Sequence, residues 1–249
     1  LWTKRIGEIR GEGSYWPGAG WTGQPLLVQW PRETKVTMGL ADKFVNDDSF
    51  VEVIYPVFEG KIYRLDLATG KQTKAPIDTG CGYKGTGSID PRGYPLLYTG
   101  QGLNDMDGTE CPWQYRIFDL IQNKQVAEWT GSDPAAPRKD WGAFDSSALV
   151  NAASDTLIEP AENGLVYKAK LNATFDPAAK TVEVKGPVTA NDIVYSVKRC
   201  IDPATASDYA YVDYIIKNAQ AVNTGESTDL DSIGVRAVDD YTVEFTLTQ

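Results

Sequence analysis

The strongest constraint in the chain is an internal repeat. Tyr63, Tyr115 and Tyr167 follow one another at intervals of 52 residues. A period near 50 residues, with about four short strands per unit, is typical of β-propeller blades. Because one blade cannot bury both of its faces, neighbouring units must cover it. Each tyrosine lies in a similar short run: Gly60–Asp66, Gln114–Asp119 and Gly164–Ala169.

Residues 1–185 are predicted to be β throughout. Short apolar runs alternate there with clusters of Gly, Pro, Asn and Asp, which indicates many short strands. No window has a helical period, so we predict no helix in this part. The predicted strands are Pro25–Trp30, Ser49–Val57, Lys61–Asp66, Pro95–Gly100, Tyr115–Asp119, Gln125–Trp129, Ser146–Val150, Thr156–Glu159, Leu165–Leu171 and Thr181–Lys185.

The first repeat carries a family pattern. Glu59–Lys71 contains a glycine, an Ile-Tyr pair, a Leu-Asp pair and then Thr69-Gly70, where Gly70 can take a positive φ in a tight turn. This run resembles the repeat of pyrroloquinoline-quinone-like β-propeller proteins. In the second repeat Gln122-Asn123 replaces Thr-Gly, and the third repeat departs further. The resemblance covers roughly residues 40–175 and implies about three blades.

The pattern changes at residue 186. Thr189 is a good N-cap, and Asp192 at the third helical position can answer it. Asp202-Pro203 then ends the predicted helix. The apolar side chains that share one face of this helix are Ile193, Val194, Val197 and Ile201.

The rest of this segment is predicted to be mixed α and β. A second short helix is predicted at Tyr209–Ile216, followed by strands at Ile233–Ala237 and Tyr241–Leu247. Val243, Phe245 and Leu247 alternate with polar residues, so we predict that this face of the last strand is buried.

The segment from 186 onward resembles the extracytoplasmic solute-binding proteins, family 5, that serve oligopeptide, dipeptide and nickel ABC importers. The resemblance implies a protein of the periplasm or cell surface, lipid-anchored or secreted, that captures a peptide or other small solute. It would close two lobes around the solute and deliver it to an ABC transporter permease. The matching residues are Pro187–Ser196, Lys198-Arg199, Asp202-Pro203, Ala206-Ser207, Tyr209–Tyr211, Ile216–Ala219, Gly234–Ala237 and Asp239–Phe245.

We therefore predict a mainly β chain in two parts. Residues 1–185 would form a partial β-propeller-like segment, and residues 186–249 a small α+β lobe fragment of the periplasmic-binding-protein type. The aromatic-x-Asp-Gly turn that the family carries before Pro187 is missing. A genuine rearrangement and an artificial joining of two coding fragments both remain open. Such a fragment is expected to bind peptide weakly or not at all.

Two other function classes compete with solute capture. The main alternative is a β-propeller interaction or scaffold protein of the quinoprotein-like class without catalysis. A quinoprotein oxidoreductase is disfavoured, because only about three of the four to eight blades of a closed propeller are visible. We expect no enzymatic activity and no cofactor.

Composition narrows the choice further. The chain has no histidine, which excludes Ser-His-Asp triads, Cys-His pairs and His-ligated zinc. The net charge of −10 disfavours nucleic acid and anionic membrane surfaces as partners. No apolar stretch approaches 18 residues, so we predict no transmembrane segment.

Several residues could still belong to a site, although none is assigned as catalytic, metal-binding or ligand-binding. Asp105–Gly108, with Asn104 and Glu110 nearby, could hold calcium, but solvated loop acids explain the cluster better. Lys198-Arg199 complements the dipole at a helix C-terminus. Aromatic residues that could line a cleft, but that more often pack in a core, are the seven tryptophans, with Trp2, Trp16, Trp21 and Trp30 near the start of the chain, and Tyr209, Tyr211 and Tyr214.

The three cysteines are Cys81, Cys111 and Cys200, and none forms a CxxC pair. A structural zinc site is therefore very unfavourable. Cys81 and Cys111 lie in Gly-rich loops. They could form a disulfide in an oxidising compartment or remain unpaired thiols.

Overall fold

The computed structural model describes residues 1–11, 14–18, 23–106, 108–184, 189–239 and 241–248. The chain divides into two compact units, Leu1–Pro187 (unit 1) and Val188–Gln249 (unit 2). The predicted boundary at 185/186 and the predicted candidates Trp21 and Asp107 lie outside the described residues. No helix within the described ranges is long and apolar enough to cross a membrane.

Unit 1 is mainly β, with several small antiparallel sheets. Its described helices are α1 (Arg32–Thr37) and α2 (Asp42–Val45). Its described strands are β1 (Glu8–Gly11), β2 (Ser14–Pro17), β3 (Leu26–Val28), β4 (Glu52–Pro56), β5 (Lys61–Asp66), β6 (Ile77–Asp78), β7 (Ser88–Ile89), β8 (Leu96–Gly100), β9 (Asp105–Met106), β10 (Thr109–Glu110), β11 (Gln114–Asp119), β12 (Lys124–Thr130), β13 (Leu149–Asn151), β14 (Thr156–Pro160), β15 (Val166–Lys170), β16 (Ala173–Asp176) and β17 (Thr181–Val184).

Three of the sheets repeat one pattern. The first sheet has the order β3-β4-β5-β6, the second β12-β11-β8-β7 and the third β13-β14-β15. Tyr63, Tyr115 and Tyr167 lie on β5, β11 and β15, and each faces one residue of the preceding long strand: Tyr55, Gly100 and Glu159. Each 52-residue repeat of the sequence therefore corresponds to one sheet. The third sheet has three described strands where four were predicted.

Two apolar clusters of unit 1 contain residues from more than one of these sheets. The first cluster includes Ile54 and Ile62 of the first sheet with Leu97 and Phe118 of the second. The second cluster includes Tyr98, Tyr115 and Ile117 of the second sheet and Leu157 of the third, with Phe144. The second sheet contributes to both clusters, and its strands β8 and β11 are almost wholly buried as a result.

The prediction that residues 1–185 contain no helix is wrong. α1 and α2 span six and four residues, which is too short for a helical period to emerge in a window of 11–18 residues. They lie in the connection between β3 and β4. Met38 and Phe44 of this region are buried in the first apolar cluster with Trp30, so tertiary packing supports helices that local sequence does not signal.

The turns after β5 and β11 explain how the repeat tolerates substitution. Gly70 has a φ of 68°, and Asp66 Oδ1 accepts a hydrogen bond from Ala68 N at 3.0 Å. In the second repeat Asn123 takes the left-handed conformation at 55°, and Asp119 Oδ1 accepts from Ile121 N at 2.6 Å. Asn is among the residues that tolerate this region, so the exchange of Thr-Gly for Gln-Asn preserves the turn.

Cys81 and Cys111 form a disulfide, with their Cα atoms 5.7 Å apart. The structure thereby decides between the two alternatives that the sequence left open. The bridge lies in a small apolar cluster with Phe58, Leu103 and Met106. Cys200, in unit 2, is free and partly buried.

Unit 2 combines short helices with one hairpin. Its described elements are α3 (Ala190–Ile201), α4 (Ala219–Asn223), β18 (Val235–Asp239) and β19 (Thr242–Phe245), with 3-10 helices at Pro203–Thr205, Ala210–Asp213 and Leu230–Ser232. The predicted start of α3 is confirmed: Asp192 Oδ2 accepts a hydrogen bond from Thr189 N at 2.7 Å. The predicted end is confirmed as well, because Asp202 is the C-cap.

A small core holds unit 2 together. Ile201, Ile216, Val222 and Val235 are buried in it. Val194 and Val197 of α3 pack against this core as predicted, whereas Ile193, which was placed on the same face, is exposed.

Two other predictions for unit 2 are wrong. The segment predicted as a helix over Tyr209–Ile216 contains only the 3-10 helix Ala210–Asp213, and α4 follows it. The face of the last strand is not buried as a whole: Val243 packs against the core of unit 2, but Phe245 and Leu247 are 44% and 56% exposed. Alternation shows that a strand has two different faces, but only a covering element can bury one of them.

Candidate functional site

The described part of unit 1 contains an open cavity of about 680 Å³. Its lining includes Asn104, Asp105, Gly108, Glu110 and Trp141. Most of the acid loop singled out from the sequence therefore lines one cavity. A second cavity of about 270 Å³ shares Asn104 and Glu110, and its lining adds Cys111, Pro112, Trp113, Ser132, Lys139 and Asp140.

The β9–β10 hairpin brings two carboxylates of this cavity together. Asp105 and Glu110 are directly opposite each other in its register, an arrangement in which like charges repel. Asp105 Oδ1 accepts a hydrogen bond from Gly108 N at 3.0 Å, which accounts for one of its oxygens. Among the described residues, no group of three or more His, Cys, Asp or Glu side chains could hold a metal ion.

Two of the seven tryptophans considered as cleft candidates line these cavities, Trp141 the first and Trp113 the second. The rings of Trp113 and Trp141 have centroids 5.4 Å apart, and the Arg138 guanidinium lies 4.5 Å from the Trp141 ring centroid. Trp141 Nε1 donates a hydrogen bond to Glu162 Oε2. Both residues lie in irregular segments, where no periodicity could have marked them; the Arg138-x-x-Trp141 spacing is the only local signal.

A partly buried ion pair involves Asp145, a neighbour of Glu162. Lys84 Nζ is 2.8 Å from Asp145 Oδ2. Burial raises the pKa of Asp145 to about 6, which the hydrogen bond from Lys84 opposes and the neighbouring Glu162 reinforces. Asp145 therefore gains a proton more easily than an exposed carboxylate.

The tryptophans near the start of the chain have packing roles where their side chains are described. Trp30 is buried, and its Nε1 donates to Glu52 Oε2 at 2.7 Å. Trp2 packs beside the cluster of Val53, Val57 and Tyr63 and donates from Nε1 to Leu67 O at 2.8 Å. The side chain of Trp16, like Trp21, lies outside the described atoms.

The tyrosines of unit 2 separate into two kinds. Tyr214 is partly buried, and its hydroxyl donates to Asn223 Oδ1 at 2.8 Å; Asn223 Nδ2 donates in turn to Ile201 O at 2.7 Å. Tyr209 and Tyr211 are exposed, with ring centroids 6.4 Å apart. The structure therefore ties one tyrosine to the core and leaves two on the surface.

The two basic residues at the end of α3 also differ in their contacts. Lys198 Nζ donates to Asp231 Oδ1 at 2.7 Å, while Arg199 is exposed in the last turn of the helix. Both positive charges complement the helix dipole there.

Comparison with known proteins finds a family to which the C-terminal part of the chain is similar. Residues 143–249 match the family model of bacterial extracellular solute-binding proteins, family 5 Middle. The match begins at residue 143, ahead of position 186 where the resemblance was recognised, and so includes part of unit 1.

Two curated oligopeptide-binding proteins are similar to parts of this chain. The oligopeptide-binding protein OppA of Bacillus subtilis (strain 168) is 48% identical over 61 residues, which are 24% of this chain and 11% of that protein. The periplasmic oligopeptide-binding protein OppA of Haemophilus influenzae is 45% identical over 161 residues, which cover 59% of this chain and 28% of that protein. The chain therefore spans less than a third of these relatives.

One solved structure matches about half of the chain at a low score. BamB from Moraxella catarrhalis matches with a TM-score of 0.32 and 15% identity, covering 53% of this chain and 32% of that one. A match at this level carries no argument about fold. The propeller prediction depends on the internal repeat and on the three sheets described above.

Proposed function

We propose that residues 143–249 serve in the capture of a peptide or similar small solute outside the cytoplasmic membrane. They would act as part of the solute-binding component of an ABC importer, a role without catalysis, and the permease of that importer would be the partner. The observation that carries this proposal is the family match over residues 143–249. Relatives named as oligopeptide-binding proteins support peptide as the solute class.

The fold of unit 2 is compatible with this role. α3 has its own cap at Thr189 and Asp192. Its buried side packs on a core that includes Ile216 and Val235. A lobe segment with its own core can position a binding surface within a larger protein, since precise sites need rigid supporting elements.

A graft tests the proposal. The segment of the Haemophilus influenzae relative that aligns with residues 189–248 is replaced by those residues, and tripeptide binding is measured by isothermal titration calorimetry. We expect the graft to bind with a Kd within about tenfold of the relative, a change of no more than about 1.4 kcal/mol.

The control is the same graft with Ile201→Asp, which places a charge in the core of unit 2 and should abolish binding. Circular dichroism and thermal melting establish that the first graft is folded. A folded graft that binds no tripeptide at millimolar concentration would contradict the proposal.

We also propose that residues 1–185 form a propeller-like interaction module, whose last part, residues 143–185, also lies within the segment that matches the solute-binding family. The repeated placement of Tyr63, Tyr115 and Tyr167 on corresponding strands of three sheets supports this. Limited proteolysis with mass spectrometry tests it. Rapid cleavage between residues 176 and 188, releasing a resistant N-terminal piece, is the expected result, and uniform resistance across this segment would contradict it.

A further inference from the structure

Glu159 is a buried acid in an unusual environment. It lies on β14, opposite Tyr167 of β15, and its side chain is fully buried. The equivalent positions in the first and second sheets hold Tyr55 and Gly100, which face Tyr63 and Tyr115. The third sheet therefore carries a carboxyl group where the others carry a phenol or no side chain.

The hydrogen bonding of Glu159 is incomplete for a carboxylate. Oε1 accepts from Ser146 Oγ at 2.8 Å, and the same hydroxyl is shared with a second acceptor, Pro160 O, at 3.0 Å. Oε2 has no hydrogen-bond partner within the described part of the chain. An ionised carboxylate that is buried without a cation or several donors is strongly disfavoured, so this site favours the neutral acid.

No other charge in the neighbourhood corrects this deficit. Asp145 precedes Ser146, and the titratable residues of the neighbouring strands are Tyr115, Arg116 and Asp119 on β11 and Tyr167, Lys168 and Lys170 on β15. Arg116 donates to Gln101 Oε1, Lys170 pairs with Asp155, and Lys168 is exposed. Asp145 already pairs with Lys84. Within the described residues, no lysine or arginine forms an ion pair with Glu159.

Glu52, in the first sheet, shows what a buried carboxylate receives when the fold accommodates its charge. It is equally buried, but Arg64 donates to both of its oxygens, from Nε at 3.0 Å and from Nη2 at 3.1 Å. Trp30 and Thr73 add further hydrogen bonds. Glu159 has one hydroxyl in place of this set.

We propose that Glu159 is a proton-operated latch: its buried site accommodates the neutral acid while the third sheet is closed, and loss of its proton, which would leave an unpaired charge in that site, loosens the sheet. Burial supports this by raising the pKa of Glu159 to about 7 from its ordinary value of 4.5, while the Ser146 hydrogen bond lowers it. Since the closed sheet binds this proton more tightly than the open one, closure is strongest at low pH. It weakens as the pH rises from 4.5 towards 7 and changes little above that.

Amide hydrogen exchange of the whole chain measures the latch directly. Exchange of peptides covering residues 147–171 is followed at pH 5, 6, 7 and 8 and corrected for the intrinsic chemical rate. We expect the opening constant to rise about tenfold per pH unit between pH 5 and 7, and then to level off. A pH-independent opening constant in the unaltered protein would overturn the proposal.

Variants assign the effect to one residue. Glu159→Gln keeps the shape without the titrating group and should flatten the profile, whereas Glu183→Gln, at an exposed acid on β17, should leave it unchanged. Asp145→Asn tests whether the neighbouring acid, and not Glu159, causes the pH dependence of the opening constant. Loss of the pH dependence in Asp145→Asn together with its retention in Glu159→Gln would overturn the assignment.

Ser146→Ala provides a test in case Glu159→Gln does not fold. It removes the one hydrogen bond that lowers the pKa of Glu159. The pH at which the opening constant levels off should therefore move upwards from about 7. An unchanged or lower levelling point would count against the latch.

Discussion

The second and third sheets of unit 1 begin from the same repeat and differ in burial. From Tyr115 to Asp119, β11 is buried at every position, while β15 alternates between partly buried and exposed positions, with Val166 67% exposed. β11 lies between β8 and β12, and its sheet contributes to both large apolar clusters. β15 is an edge strand among the described ones. Burial therefore follows from the neighbours of a strand more than from its own sequence.

The residue after each repeat tyrosine shows the same dependence. Arg64 is buried and held by Glu52, and its Nη1 donates to Leu120 O at 2.7 Å. Arg116 is buried but donates to the Gln101 amide oxygen at 3.1 Å, and its Nε has no partner among the described residues. Lys168 is exposed. One repeat position thus holds three cations in three electrostatic environments.

The largest expected effect comes from breaking the buried pair. Arg64→Ala leaves Glu52 charged and buried, and should lower the free energy of unfolding of unit 1 by about 3–5 kcal/mol. Lys168→Ala removes an exposed charge and should change it by less than about 0.5 kcal/mol. Urea denaturation measures both. Similar losses in the two variants would show that the repeat positions are energetically equivalent.

The next largest effect concerns the disulfide between Cys81 and Cys111. Among the described residues, the third repeat has no such bond. Replacing Cys81 and Cys111 by Ser opens a loop with a sequence separation of 30 and should cost about 3–4 kcal/mol on chain-entropy grounds. The midpoint of urea unfolding should fall accordingly, and reduction of the unaltered protein should reproduce the change. A loss below about 1 kcal/mol would mean that packing around Phe58 and Met106 holds the loops without the bond.

Adjacent residues of β14 allow a matched test of one-sided burial. Leu157 is fully buried and Ile158 is 42% exposed. Leu157→Ala should cost about 2–5 kcal/mol because it leaves a cavity, whereas Ile158→Ala should cost less than about 1 kcal/mol. Equal costs would mean that a further surface covers Ile158 in solution.

The smallest expected effect concerns the N-terminal cap of α3 in unit 2. Asp192→Ala removes the carboxylate that receives Thr189 N and should weaken the first turn of α3 by about 1 kcal/mol. Asp208→Ala, at an exposed acid in the same unit, is the control and should have little effect. Hydrogen exchange of amides in α3 reports the change; equal protection in both variants would rule out the cap as a source of stability.

Strand positions in unit 1 were predictable because alternation and turn residues are local signals. β5 was predicted with its observed bounds, and β8, β11 and β14 within one residue of theirs. α1, α2 and α4 were missed because helices of four to six residues carry no period. The acid loop and all seven tryptophans were considered as site candidates, but the sequence did not indicate that Trp113 and Trp141 line the same cavities as that loop, since only the fold brings them together.

The sequence by itself determined the repeat, most strands of unit 1, the cap of α3 and the resemblance of the last segment to solute-binding proteins. These features depend on residues that are close along the chain, or on a pattern that recurs. Tertiary structure alone decided that Cys81 and Cys111 pair, that Glu52 receives a cation and Glu159 does not, and that Phe245 remains exposed. Each of these outcomes depends on which distant group lies within a few ångströms, and local sequence carries no record of that distance.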